Sequence, residues 1–117
     1  MSYKVWVYPV NKKPNILDEF YQKIQKSARA KVARQLKYLE EYGLTTAVID
    51  LKKLRGYEFW EIRILGKENI RIIVWGYEKN IFVIHMFVKK RQSTSLKDLA
   101  LAKNRLKVVW KIIGYLD

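Results

Sequence analysis

Glu61, Arg63, Arg71, His85, Lys89, Lys90 and Arg91 have the residue types and spacing for chemistry on a phosphodiester. A β-strand shows alternate residues on one face. Glu61 and Arg63 therefore share a face, opposite Trp60, Ile62 and Ile64, while Arg71 alternates with Ile70 and Ile72 in the next apolar run. A third run, Ile81 to Val88, carries the only histidine and leads into Lys89-Lys90-Arg91. Paired as a meander, the three runs bring Arg63, Arg71 and the terminal basic cluster to one surface.

Such a surface suits cleavage of RNA by its own 2′-hydroxyl. The substrate then supplies the nucleophile, and the protein must hold it in line with the departing 5′-oxygen. Fixed guanidinium groups stabilise the charge that builds at phosphorus, and a base takes the hydroxyl proton. With one His, no Cys and no H-E-x-x-H run, this reading assigns no metal and no cofactor. Each group also has an ordinary structural reading. Arg63 and Arg71 read equally as solvated residues on an open sheet face, Lys89-Lys90-Arg91 as a solvated strand end, and His85 as a core residue. Trp60, Trp75 and Phe87 read first as packing residues and only second as platforms for bases. Trp6 and Trp110 read as core.

The elements that position these residues follow from hydrophobic period. Tyr3 to Tyr8 reads as a strand stopped by Pro9. Asn15 and Asp18 fit a capping box, followed by Ile16, Phe20 and Ile24 at helical spacing. Ser27 is the expected cap of a second helix with the stripe Val32, Leu36, Leu39 and a stop at Gly43. Lys23, Lys26, Arg29, Lys31, Arg34 and Lys37 make this helical hairpin basic, so Lys26, Arg29, Lys31, Arg34 and Lys37 join Arg91 as expected RNA contacts. Leu44 to Arg55 is a connector with room for a short extended piece. Three strands separated by short turns follow, which favours antiparallel pairing. Ser95 and Asp98 open a last helix with Leu99, Ala102, Leu106, Val109 and Ile113 on one face. The expected fold is α+β, in the order β-α-α-β-β-β-α, as one domain over residues 1–117.

Bulk composition agrees with a nucleic-acid partner. Lys and Arg number 24 against 11 Asp and Glu, giving +13, and that surplus favours a polyanion through counterion release. Hydrophobic residues make up 50% of the chain, which excludes a disordered tail. Without cysteine there are no disulfides or thiolate sites. No run approaches the roughly 18–20 apolar residues of a membrane span. The first residues do not read as a signal peptide, so the expected location is the cytoplasm.

The stretch Lys53-Leu54-Arg55-Gly56-Tyr57-Glu58-Phe59-Trp60-Glu61-Ile62-Arg63 resembles the K-x-L-x-x-G-x-W-E-L-R run of phage-related HigB-type toxins in the RelE superfamily. Arg71-Ile72-Ile73-Val74-Trp75 is similar to the R-I-x-Y strand that follows in that family, and the segment from Ile84 to Gln92 to its L-H-x-F-x-K-K-x-x segment. Leu101-Ala102-Lys103-Asn104-Arg105 resembles the x-A-x-x-R of the last helix. The resemblance covers nearly the whole chain. It implies a RelE-like fold, metal-free cleavage of mRNA in the ribosomal A site, contact with ribosomal RNA, and an antitoxin partner, expected to be a helix-turn-helix protein. By position, the resemblance matches Arg63 to a basic residue on the superfamily's second sheet strand, Arg71 to the phosphate-stabilising Arg of the third, and Lys89 or Lys90 to the basic residue ending the last strand. Glu61 stands where RelE has lysine, though Glu is usual in the HigB-type branch, and Ser95 stands where that branch has proline. The C-terminal tyrosine of RelE has no counterpart, which leaves the proton acceptor between His85 and Glu61. Two other readings keep the same fold: an RNA- or ribosome-binding module that does not cut, and a subunit whose charge attracts an acidic protein.

Overall fold

The computed structural model describes residues 2–48, 50–90 and 94–115. Along the chain run β1 (Lys4–Val7), α1 (Ile16–Tyr21), α2 (Lys26–Tyr42), β2 (Leu51–Lys53), β3 (Trp60–Ile64), β4 (Ile70–Tyr77), β5 (Asn80–Val88) and α3 (Leu96–Ile113). The fold is α+β, as expected. Five strands form one sheet in the order β1-β5-β4-β3-β2. The β2-β3, β3-β4 and β4-β5 pairs are antiparallel, whereas β1 pairs with β5 in parallel.

Local chemistry sets the element ends. The Asn15 side chain accepts the Asp18 N–H, and the Asp18 carboxylate accepts the Asn15 N–H, both at 2.9 Å. Together they close the capping box of α1. Ser95 likewise accepts the Asp98 N–H at 3.1 Å to start α3. α2 ends at Gly43, whose φ of 70° favours glycine. A Cβ there would lie 2.5 Å from the Tyr3 ring, so the same glycine lets β1 approach the helix end.

Two helix expectations shift. α1 stops at Tyr21 in a tight turn, with the Lys23 N–H donating to the Phe20 carbonyl, and Ile24 is buried from the connection beyond it. α2 starts at Lys26, so Ser27 lies inside the helix and caps nothing. Its entry is tied instead by Glu68 of the β3-β4 turn, which accepts the Gln25 N–H at 3.1 Å. The short extended piece of the connector is β2, an edge strand, and this adds a fourth strand after the hairpin.

Both faces of the sheet are covered. On one face Ile62, Ile64, Ile72, Val74 and Val83 pack with Phe20, Val32 and Leu39 of α1 and α2. On the other, Ile73, Trp75, Phe82 and Ile84 pack with Ala102, Leu106 and Val109 of α3. β4 and β5 are buried on both sides, which explains their nearly unbroken apolar runs. Each such buried side chain contributes about 1.5–3 kcal/mol. α3 lies along β5, so the β2-β3 half of its face is left more open. Trp75 is core, whereas Trp6 and Trp110 are half-buried at the margin of the α3 cluster rather than inside it. No helix among the described residues is long and apolar enough to cross a membrane.

Candidate phosphate-binding cleft

Register decides which polar residues meet. Arg63 of β3 and Arg71 of β4 are direct cross-strand partners. Glu61 pairs with Ile73, and Ile73 pairs with His85 of β5, so Glu61, Arg63, Arg71 and His85 all lie on the α3 face. Lys52 of β2 pairs with Glu61 and lies there too. A cleft of about 320 Å³ opens over the uncovered half of this face. Lys52, Arg55, Arg63 and Lys89 contribute four cations to its walls, and Glu61 the one carboxylate among the described residues. Thr94 borders it beside Glu61, donating its hydroxyl to Oε2 at 2.7 Å.

Arg71 is only 4% exposed. Its Nε lies 3.5 Å from Glu61 Oε1, a charge contact longer than a well-formed N–H···O bond. Nε and Nη1 are both buried without a hydrogen-bond partner. Burial depresses the Arg71 pKa first; Glu61 offsets this in part, and Arg63 adds to it. Arginine remains charged in proteins even so. An unsatisfied buried donor costs about 1–3 kcal/mol, and like charges directly opposed on neighbouring strands cost roughly 0.2–1 kcal/mol more. The fold thus holds two guanidinium groups where stability disfavours them: Arg63 borders the cleft, whereas Arg71 does not and lies buried opposite it, adding its charge to the local field.

Lys89 follows the last residue of β5, fixed by its own N–H on the Asn69 carbonyl at 2.6 Å. Partial burial lowers its pKa, and Arg71, Arg63 and Lys52 lower it further, while Glu61 opposes them. A lysine held in this way releases a proton more readily than a solvated one.

His85 stands apart from this cleft. It is 7% exposed and stacks on Phe87 at 5.0 Å. Burial, chiefly, lowers its pKa, aided by Arg105 and opposed by Asp98. The neutral ring donates from Nε2 to Asp98 at 2.8 Å and accepts at Nδ1 from Arg105 at 3.3 Å. Both nitrogens are engaged in joining β5 to α3, so the ring serves packing and has no free nitrogen for a substrate. Lys90 is exposed beyond the strand and does not border the cleft. Arg91 lies outside the described residues.

The cations of the helical hairpin do not join the cleft. Lys26, Arg29, Lys31, Arg34 and Lys37 are exposed on α2, which covers the opposite face of the sheet. The protein therefore carries two basic surfaces. Sequence reasoning missed Lys52, Arg55, Tyr57 and Thr94 as cleft residues. The alternation in Leu51-Lys52-Lys53 was the available signal for Lys52, once that piece is paired with β3. Thr94 reaches Glu61 only through tertiary folding and leaves no local signal.

No curated protein matches the chain. The family model described as Phage derived protein Gp49-like (DUF891) matches residues 19–107. That stretch contains every residue of the cleft, from Lys52 to Leu99, together with α2 and most of α3. The chain belongs to the phage-derived Gp49-like family.

Proposed function

We propose that the protein is the toxin of a type II toxin–antitoxin pair, a metal-independent endoribonuclease that cuts mRNA in the ribosomal A site. The observation that carries this reading is Arg63, backed by the buried Arg71 directly opposite it, on a cleft whose walls also hold Lys52, Arg55 and Lys89 and, among the described residues, the one carboxylate of Glu61. The link of Gp49-like proteins with toxin–antitoxin modules supports it. In the proposed reaction the 2′-oxygen bonds to phosphorus and the bond to the 5′-oxygen breaks, leaving a 2′,3′-cyclic phosphate and a 5′-hydroxyl. Arg63 and Lys52 balance the charge on the phosphoryl oxygens, and the buried Arg71 opposite Arg63 adds its field from behind. Glu61 accepts the 2′-hydroxyl proton, and Lys89 gives one to the departing oxygen. The exposed cations of α2 dock ribosomal RNA from the other side of the sheet. A helix-turn-helix antitoxin neutralises the protein by covering the cleft cations.

A second reading, RNA or ribosome binding without cleavage, draws on Glu61 itself. Its carboxylate already holds the Thr94 hydroxyl and faces Arg71, so its capacity as a base is partly spoken for. Mapping transcript 5′ ends after induction separates the two. The toxin reading expects new ends inside translated regions, lost with Arg71→Ala, and growth arrest that disappears with them. Ribosome binding with no new ends would establish the second reading instead.

A further inference from the structure

One side of the cleft is not cationic. Leu54, Tyr57 and Leu99 border it, and all three rest on the apolar cluster beneath α3. Tyr57 stacks on Phe59 with ring centroids 5.1 Å apart and planes 16° from parallel. Phe59 is 1% exposed, so the tyrosine ring has a rigid backing. The turn that presents it is tied down twice. The Tyr57 N–H donates to the Leu54 carbonyl at 3.1 Å, and the Leu54 N–H donates to the Phe59 carbonyl at 3.2 Å. The Lys53 ammonium also donates to the Tyr57 carbonyl. Tyr57 itself is half-buried: Phe59 stacks on its ring, and the residue borders the cleft.

An aromatic ring with a fixed back, on the border of a cleft that holds four cations, matches the two parts of a nucleotide. We infer that Tyr57, with Leu54 and Leu99, forms a nucleobase subsite in which a base of single-stranded RNA stacks on the tyrosine ring while its phosphate lies against Arg63 and Lys89. This rests on the proposed RNA-cleaving function and adds the part of the substrate that function leaves unplaced. Stacking needs only a π-face, so the subsite accepts any base and prefers the larger purines through overlap. The Tyr57 hydroxyl is not required for it.

The test uses the full chain and two labelled 2′-O-methyl hexanucleotides, which lack a free 2′-hydroxyl and cannot be cut by the proposed route. One carries adenine at every position, and the other is its abasic counterpart of equal charge. Tyr57→Leu is expected to weaken the base-bearing oligomer by roughly 5- to 100-fold while leaving the abasic one unchanged, and Tyr57→Phe is expected to bind both like the wild type. Equal weakening of both oligomers by Tyr57→Leu would show a purely structural tyrosine and overturn the subsite. So would unchanged binding of both by Tyr57→Leu when Arg63→Gln weakens them, and that outcome leaves the cleft's proposed function standing. If Arg63→Gln affects neither oligomer, the RNA-cleft reading fails and the subsite fails with it.

Discussion

Replacing Arg63 by glutamine sets stability and function against each other. Arg63 is exposed, directly opposite the buried Arg71, and it adds to the depression of the Arg71 and Lys89 pKa values. Like charges opposed in this way cost about 0.2–1 kcal/mol, and solvent around Arg63 places the value in the lower part of that range. Arg63→Gln keeps most of the aliphatic stem and removes the charge. Urea unfolding should therefore give an unchanged or slightly raised stability, by a few tenths of a kcal/mol. On the proposed function the same change also removes one phosphate contact. The slope of log K against log salt for a single strand should become shallower by about 0.7, and cleavage should fall by about 100- to 1,000-fold, as for one lost oxyanion donor. Denaturation curves and a salt series of RNA binding measure the two effects on one preparation. A loss of more than about 1 kcal/mol with an unchanged salt slope would refute the reasoning and make Arg63 an ordinary surface residue.

Other changes probe the remaining parts. Glu61→Gln leaves Arg71 buried without its anion and should destabilise the protein by about 3 kcal/mol in urea or thermal unfolding. His85 has a folded pKa below the ordinary 6.5, so the unfolded chain binds the proton first. Its contribution is complete above that pH and is lost as pH falls toward the folded value. His85→Gln should flatten the stability profile just below pH 6.5, while the separate loss from Asp98, whose pKa is also depressed, begins only below 3.8. Changing Arg29, Arg34 and Lys37 together to glutamine should weaken co-sedimentation with ribosomes and leave short-oligonucleotide binding unaltered, because α2 lies on the other side of the sheet from the cleft.

Much of the fold was legible where the signal is local. Capping at Asn15 and Ser95, the stop at Gly43 and the strands carrying Arg63, Arg71 and His85 all follow from neighbouring residues. Alternation also placed Glu61 and Arg63 on one face. What local signals omit is which face each helix covers and which distant strands pair. The parallel β1-β5 pair depends on contacts across most of the chain. The assignment of α2 to the far face separates its cations from the cleft, which no charge pattern in the sequence reveals. His85 illustrates the same limit. In a strand covered on both sides, a histidine's partners are set by the packed helix, here Asp98 and Arg105 of α3.

The most direct test of the central claim is single-turnover cleavage on programmed ribosomes, with a 2′-deoxy substitution at the cut nucleotide. The protein is expected to leave a cyclic phosphate and a 5′-hydroxyl on the all-ribose message, to leave the deoxy message whole at that site, and to lose cleavage with Arg71→Ala. Cutting of the deoxy message at the same bond, undiminished cutting by Arg71→Ala, or an intact all-ribose message would contradict it.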